Sequence, residues 1–266
     1  MTRAQRIIKY VALALAIIII IGIIGAIVSA VALVFGIFGK AVDEETTLYT
    51  VSDGITDIEI EIPAADFEIK TGAAFSIESN LKYLRVEEVG STLKAKEKSG
   101  SGRNYDDAVF VLTIPEGKVF ESADVTTGAG RFTVETLSAK RFDLELGAGE
   151  VNIRELNALQ EADIAGGAGK VTISGGTLNN LEFEMGVGEL NLTSKITGES
   201  DIDLGVGEAN LRFLGSSNDY TLRINKAVGS IMLDGKNIKE SGTFGSGAAR
   251  IEIDGGVGAI NVAFSE

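Results

Sequence analysis

A 266-residue chain with formal net charge −14, no cysteine and no histidine excludes several chemistries at once. Without cysteine there is no disulfide, thiolate nucleophile or thiol-linked lipid, and without histidine the usual general base and commonest metal ligand are missing. The acidity repels nucleic acid and attracts cations or basic partners.

In chain order, residues 1–9 carry Arg3, Arg6 and Lys9 and precede an uncharged, almost wholly apolar run from Tyr10 to Gly39. As a helix that run would reach roughly 45 Å, more than the roughly 30 Å of a bilayer's hydrocarbon core. It reads as one N-terminal transmembrane helix over 10–39, the contact with the lipid bilayer. A cleaved signal peptide is the alternative, since Val28-Ser29-Ala30 resembles a cleavage site, but the apolar run continues beyond it through Phe35. Basic residues before the span, and Asp43, Glu44 and Glu45 after it, place 1–9 in the cytoplasm and the C-terminal domain outside it, as a single-pass protein. Residues 1–40 hold four basic and no acidic side chains, leaving 20 basic against 38 acidic in the other 226.

Residues 40–54 read as a polar linker, and 55–117 as a β-strand region opening with the alternating TDIEIEI. Pro63 and Pro115, the only prolines, are each expected to close a strand. From 118 to 266 one phrase recurs, Gly-x-Gly followed by two apolar residues that flank an outward one. It reads GAGRFTV at 128, GAGEVNI at 147, GAGKVTI at 167, GVGELNL at 186 and GVGEANL at 205, with looser copies at 227, 245 and 256. A period near 20 with strand-type alternation marks a β-solenoid whose coils rest on one another. The predicted fold is therefore all-β, a single-stranded parallel β-solenoid, β-helix-like, with a coil of about 19–20 residues. An antiparallel sandwich is the alternative, but it predicts no fixed period.

The periodicity sorts side chains into columns. Phe132, Val151, Val171, Leu190, Ala209 and Ile231 form one apolar column, and Val125, Leu144, Ile164, Phe183 and Ile202 form another. Arg131, Glu150, Lys170, Glu189 and Glu208 alternate in sign over the first four, as cross-coil ion pairs would. Four residues before each glycine stands an acidic column, Asp124, Asp143, Asp163, Glu182 and Asp201, joined two residues later by Glu145, Glu184 and Asp203. At a coil spacing of about 4.8 Å these carboxylates would share one face. Such a face either keeps the domain soluble or binds a divalent cation such as calcium, or a basic ligand. No catalytic, cofactor-binding or dedicated metal-ligating residues are identified.

The N-terminal span, the junctions EIEIPAADFEIKTG and VLTIPEGKVFESADVTTGAG, and the glycine-punctuated strands together resemble the bacterial putative-adhesin family of β-strand-repeat envelope proteins, over roughly residues 55–266. The resemblance implies an extracytoplasmic, parallel β-helix-like domain and carries no catalytic residues. The expected function is a non-enzymatic, adhesin-like binding module of the cell envelope, with an envelope protein, a cell-wall polymer or a cationic peptide as partner. The alternatives are a self-assembling scaffold that forms homo-oligomers through open solenoid edges, INVAF near the C-terminus being thinly capped, and a polysaccharide-active β-helix enzyme.

Overall fold

A computed structural model describes residues 39–98, 103–225 and 228–265. The expected cytoplasmic segment and transmembrane helix lie outside them but for Gly39, and among the described residues no helix is long and apolar enough to cross a membrane. The chain forms two compact units. In the first, β1 (Gly39–Lys40) pairs in parallel with Arg103–Asn104, which is β7 in chain order.

The second unit holds β2 (Val42–Thr50), β3 (Asp57–Gly72), β4 (Ser76–Leu81), β5 (Leu84–Val89), β6 (Thr92–Glu97), β8 (Val109–Pro115) and the long β9 (Val119–Ile173). It continues through β10 (Gly176–Asn179), β11 (Leu181–Thr197), β12 (Glu199–Leu214), a 3-10 turn at Ser217–Asp219, β13 (Tyr220–Asn225), β14 (Val228–Leu233), β15 (Lys236–Asn237), β16 (Gly242–Gly245) and β17 (Ala249–Ser265). β9, β11 and β12 are the solenoid proper, parallel and in register: Leu190 lies on Val171 and under Ala209, and Phe183 between Ile164 and Ile202. The apolar columns are buried from end to end, while the residues between them face outward. Each coil therefore buries a stripe that one coil alone could not.

The glycines set how closely coils approach. A Cβ on Gly147, Gly167, Gly186 or Gly205 would stand 2.3–2.7 Å from the carbonyl oxygen of the glycine one level below. The second glycine of each phrase is tighter: a Cβ would lie 1.9 Å from that oxygen at Gly169 and Gly188, and 1.8 Å at Gly207, where φ is +136°, +154° and +147°. Sterics and backbone conformation thus both demand glycine. The corner does not interrupt the extended backbone, so β9 continues through successive coils as one element.

Spatial order departs from chain order at both ends. β3 lies between β9 on one side and β6 with β8 on the other. β17 lies between β12 and the pair β13–β14. The glycine phrase at 256 consequently stacks on that at 205, and Gly229 stacks on Gly258. The phrase at 245 is not a coil corner, because Gly245 and Gly247 form the turn into β17. Nor is INVAF an open edge, since Ile260–Val262 pair with both β12 and β14, and Ala263 and Phe264 pair with β12. Antiparallel strands cover the terminal levels instead: β4 and β2 beyond β8, β5 beyond β6, β16 beyond β13 and β15 beyond part of β14.

Two further expectations are corrected. Residues 42–50, read as linker, are a strand paired antiparallel with β4. Pro63 does not end a strand but sits inside β3 in the corner position that glycine fills elsewhere, beneath Gly128. The ladder skips this position, passing from Ile62↔Thr127 to Ala64↔Ala129, so the missing N–H leaves no partner unmatched.

Gly169→Ala and Gly207→Ala are expected to destabilise the fold by about 3 kcal/mol or more, through a forced backbone clash at positive φ. Gly235→Ala, at φ +74° with open space around it, should cost only about 1 kcal/mol. Urea unfolding of the three variants checks the ranking.

Candidate functional site

Parallel register turns the acidic column into a physical ladder. Glu182 lies directly between Asp163 and Asp201, and Asp143 stands next to Asp124 and Asp163. The ladder is longer than the five residues of the sequence reading. Glu59 of β3 pairs with Asp124, and Glu252 of β17 with Asp201, giving seven consecutive carboxylates. Both additions obey the same spacing: Glu252 is four residues before Gly256, and Glu59 four before Pro63, which takes the glycine's place. They were missed because they belong to levels whose neighbours are distant in sequence.

Each end of the ladder meets a cation. Lys94 and Lys96 of β6 bond to Glu59, and Lys96 also reaches Glu61 at 2.6 Å. At the other end Arg223 of β13 pairs with Glu252 at 3.1 Å. Arg223 occupies the position four residues before 227, so the spacing rule extends to it as well. The two lysines hold Glu59 below the usual carboxylate range, chiefly through the Lys94 hydrogen bond.

Among the described residues the interior of the ladder forms no ion pair, and Asp124 feels Lys96 only weakly. Burial raises Asp124, Asp143 and Asp201 above the ordinary aspartate value, and neighbouring carboxylates add to each. Two unit charges about 4.8 Å apart repel by roughly 1 kcal/mol in water and roughly 3–4 at an effective dielectric near 20. The second acidic column is broken by Thr126 and Ala165 but closes up at the far end, where Asp203 lies between Glu184 and Asp254. There the carboxylate oxygens of Asp201, Asp203 and Asp254 come within 4.8 Å of one another. Burial, then Asp201 and Asp254, push Asp203 up to about 6. Beside this end lies an open concavity of about 570 Å³, lined in part by Glu182, Asp201, Glu252, Arg223 and Arg250. Its arginines are already paired, Arg250 with Glu199 at 3.1 Å and Arg223 with Glu252.

The column that follows the glycines is of a different kind. Arg131 pairs with Glu150 at 3.8 Å and Lys170 with Glu189 at 3.0 Å, as the alternating signs predict. Asn210 donates to Asn191 at 3.1 Å and Asn261 donates to Asn210 at 2.9 Å, a side-chain ladder along the stack. These contacts neutralise or satisfy one another, whereas the acidic ladder is satisfied only at its ends.

The sign of the pH effect follows from the raised Asp203. A carboxyl that titrates near 6 in the fold and near about 3.9 in the unfolded chain binds its proton more tightly when folded. Its ionisation therefore removes stability as pH rises through that window, and the loss is complete above it. Asp203→Asn is expected to raise the melting temperature at pH 7.5 by about 2–4 °C, taking about 1 kcal/mol after discounting for solvent screening. The gain should vanish at pH 4, which paired thermal melts at the two pH values would read.

No curated relative matches the chain. Among solved structures it is similar to that of a protein described as a putative lipid binding protein from Parabacteroides distasonis, with 14% identity over 85% of this chain and 98% of that one, at a TM-score of 0.38. It is also similar to a putative cell adhesion protein from Clostridium sporogenes, with 14% identity over 83% and 99% at 0.35. A putative adhesin from Bacteroides fragilis gives 11% identity over 84% and 100% at 0.35. The family model described as Toastrack DUF4097 matches residues 34–263, nearly all of the described chain, and the protein belongs to that family.

Proposed function

We propose that this protein is a non-enzymatic binding module, anchored by residues 10–39 in a membrane with its solenoid on the extracytoplasmic side, and that it captures a linear cationic partner along the carboxylate ladder. The observation that carries this reading is the run from Asp124 to Asp201, in which, among the described residues, no carboxylate forms an ion pair. Its self-repulsion is a standing free-energy cost, and an extended basic peptide or other polycation laid along the stack would remove it. A partner with charges spaced a few ångströms apart would meet one carboxylate per level. The trio Asp201, Asp203 and Asp254 offers oxygen ligands suited to calcium at the end of the same face.

Binding is favoured over catalysis because the cations nearest the ladder, Lys94, Lys96 and Arg223, are held in ion pairs at its ends. Among the described residues none of the three forms an ion pair with a carboxylate between Asp124 and Asp201. The apolar run from Tyr10 to Gly39 and the flanking charges support the anchor and its orientation.

Fluorescence anisotropy of a labelled decalysine peptide with the full chain in a non-ionic detergent tests the face. Changing Asp143, Asp163 and Glu182 to their amides should weaken binding by roughly tenfold or more, whereas the same change at Glu150, Glu189 and Glu208 should have little effect. Equal losses from the two triple variants would reduce the attraction to net charge and sink the reading. The topology has its own check. In this cysteine-free chain, an impermeant thiol reagent on intact cells should label Ser230→Cys but not Ala4→Cys.

A further inference from the structure

β17 is the last strand among the described residues yet not the last in the stack. It pairs with β12 along Glu199↔Arg250 to Leu214↔Ser265 on one side, and with β13 and β14 on the other. Among the described residues, β13 and β14 pair with no strand of the stack except β17, their other partners being the cap's own β16 and β15. Residues 249–265 therefore join the cap to the solenoid. If β17 left, β12 would present a long unpaired edge and the cap would lose its sheet attachment.

The connection that precedes it makes that strand exchangeable. Only residues 246–248 connect it to β16. That turn is short and crowded: Gly245 has φ +80°, and a Cβ on Gly247 would lie 1.9 Å from the backbone of Asp219. Short, constrained hinges favour exchange of identical elements between copies, because every strand contact is remade and only the hinge changes. Direct stacking of solenoid ends is obstructed by the antiparallel strands over both terminal levels, and β2 carries exposed Asp43, Glu44 and Glu45.

We infer that residues 249–265 are an exchangeable closing strand, and that two copies of this chain associate by reciprocal insertion of β17 between β12 and the β13–β14 cap of the partner. The occupant of the slot is the same segment whether it comes from its own chain or another. The dimer so formed is closed and does not propagate.

The absence of cysteine permits a direct test with two full-length single variants. Asn210 and Asn261 face each other across β12 and β17, so an Asn210→Cys chain and an Asn261→Cys chain hold their thiols at disulfide distance where the strand of one copy lies on the other. The two are mixed in detergent, warmed to just below the melting midpoint, cooled and oxidised. The expected result is a covalent heterodimer in a yield roughly tenfold above that from Asn152→Cys mixed with Asn261→Cys, a pair separated by several levels. A second pair, Arg212→Cys with Ala263→Cys, opposes the same strands and guards against a poorly folding variant. Lengthening the turn by four residues between Ser246 and Gly247 should lower the yield. Cross-linking no greater than that of the 152/261 control, with both opposed pairs folded, would overturn the inference.

Discussion

Backbone resting on backbone at the glycine corners is the contact on which the rest of this structure depends. Where the second glycine of one phrase lies over that of the next, the distance leaves no volume for any side chain. That closeness holds successive coils in strict register, and register decides everything built above it. With the levels locked, apolar residues superpose into continuous buried columns, and aromatic groups add to the packing near both ends. Phe67 meets Phe110 and Phe132 with ring centroids 4.8 and 4.5 Å apart, and Tyr220 stacks on Phe264 at 5.5 Å.

The same register is indifferent to whether stacking like on like is favourable. For Val, Ile and Leu it is, because each level shields the next from water. For asparagine it is too, since an amide both donates and accepts and can bond to a copy of itself. For carboxylates it is unfavourable, and the fold tempers the repulsion only where the repeat stops, with lysines at one end and an arginine at the other. A charge pattern that opposes stability along one edge while all else supports it is what a surface kept for a partner of opposite charge would show.

Much of the fold was legible in the sequence. The spacing of Gly128, Gly147, Gly167, Gly186 and Gly205 reports the coil length directly, and the flanking alternation names the buried columns. Illegible were the levels assembled from distant segments. Glu252 keeps the ladder's spacing before Gly256, and Glu59 keeps it before Pro63, but that spacing does not say which level each one stacks on. The linker reading of 42–50 failed for a related reason. DEETT is polar enough to be a loop, and it falls within a strand because Val42 before it and Thr47–Thr50 pair with β4, the residues between forming a shift of register.

The sequence by itself determined the repeat, its apolar stripes and the existence of an acidic column, because these are properties of spacing along one chain and each coil meets its immediate successor. Only the tertiary structure decided the order of the outermost levels. Placing β3 and β17 one step in from the ends depends on pairing between segments tens of residues apart, and periodicity carries a distance but no instruction about which edge a returning strand will choose.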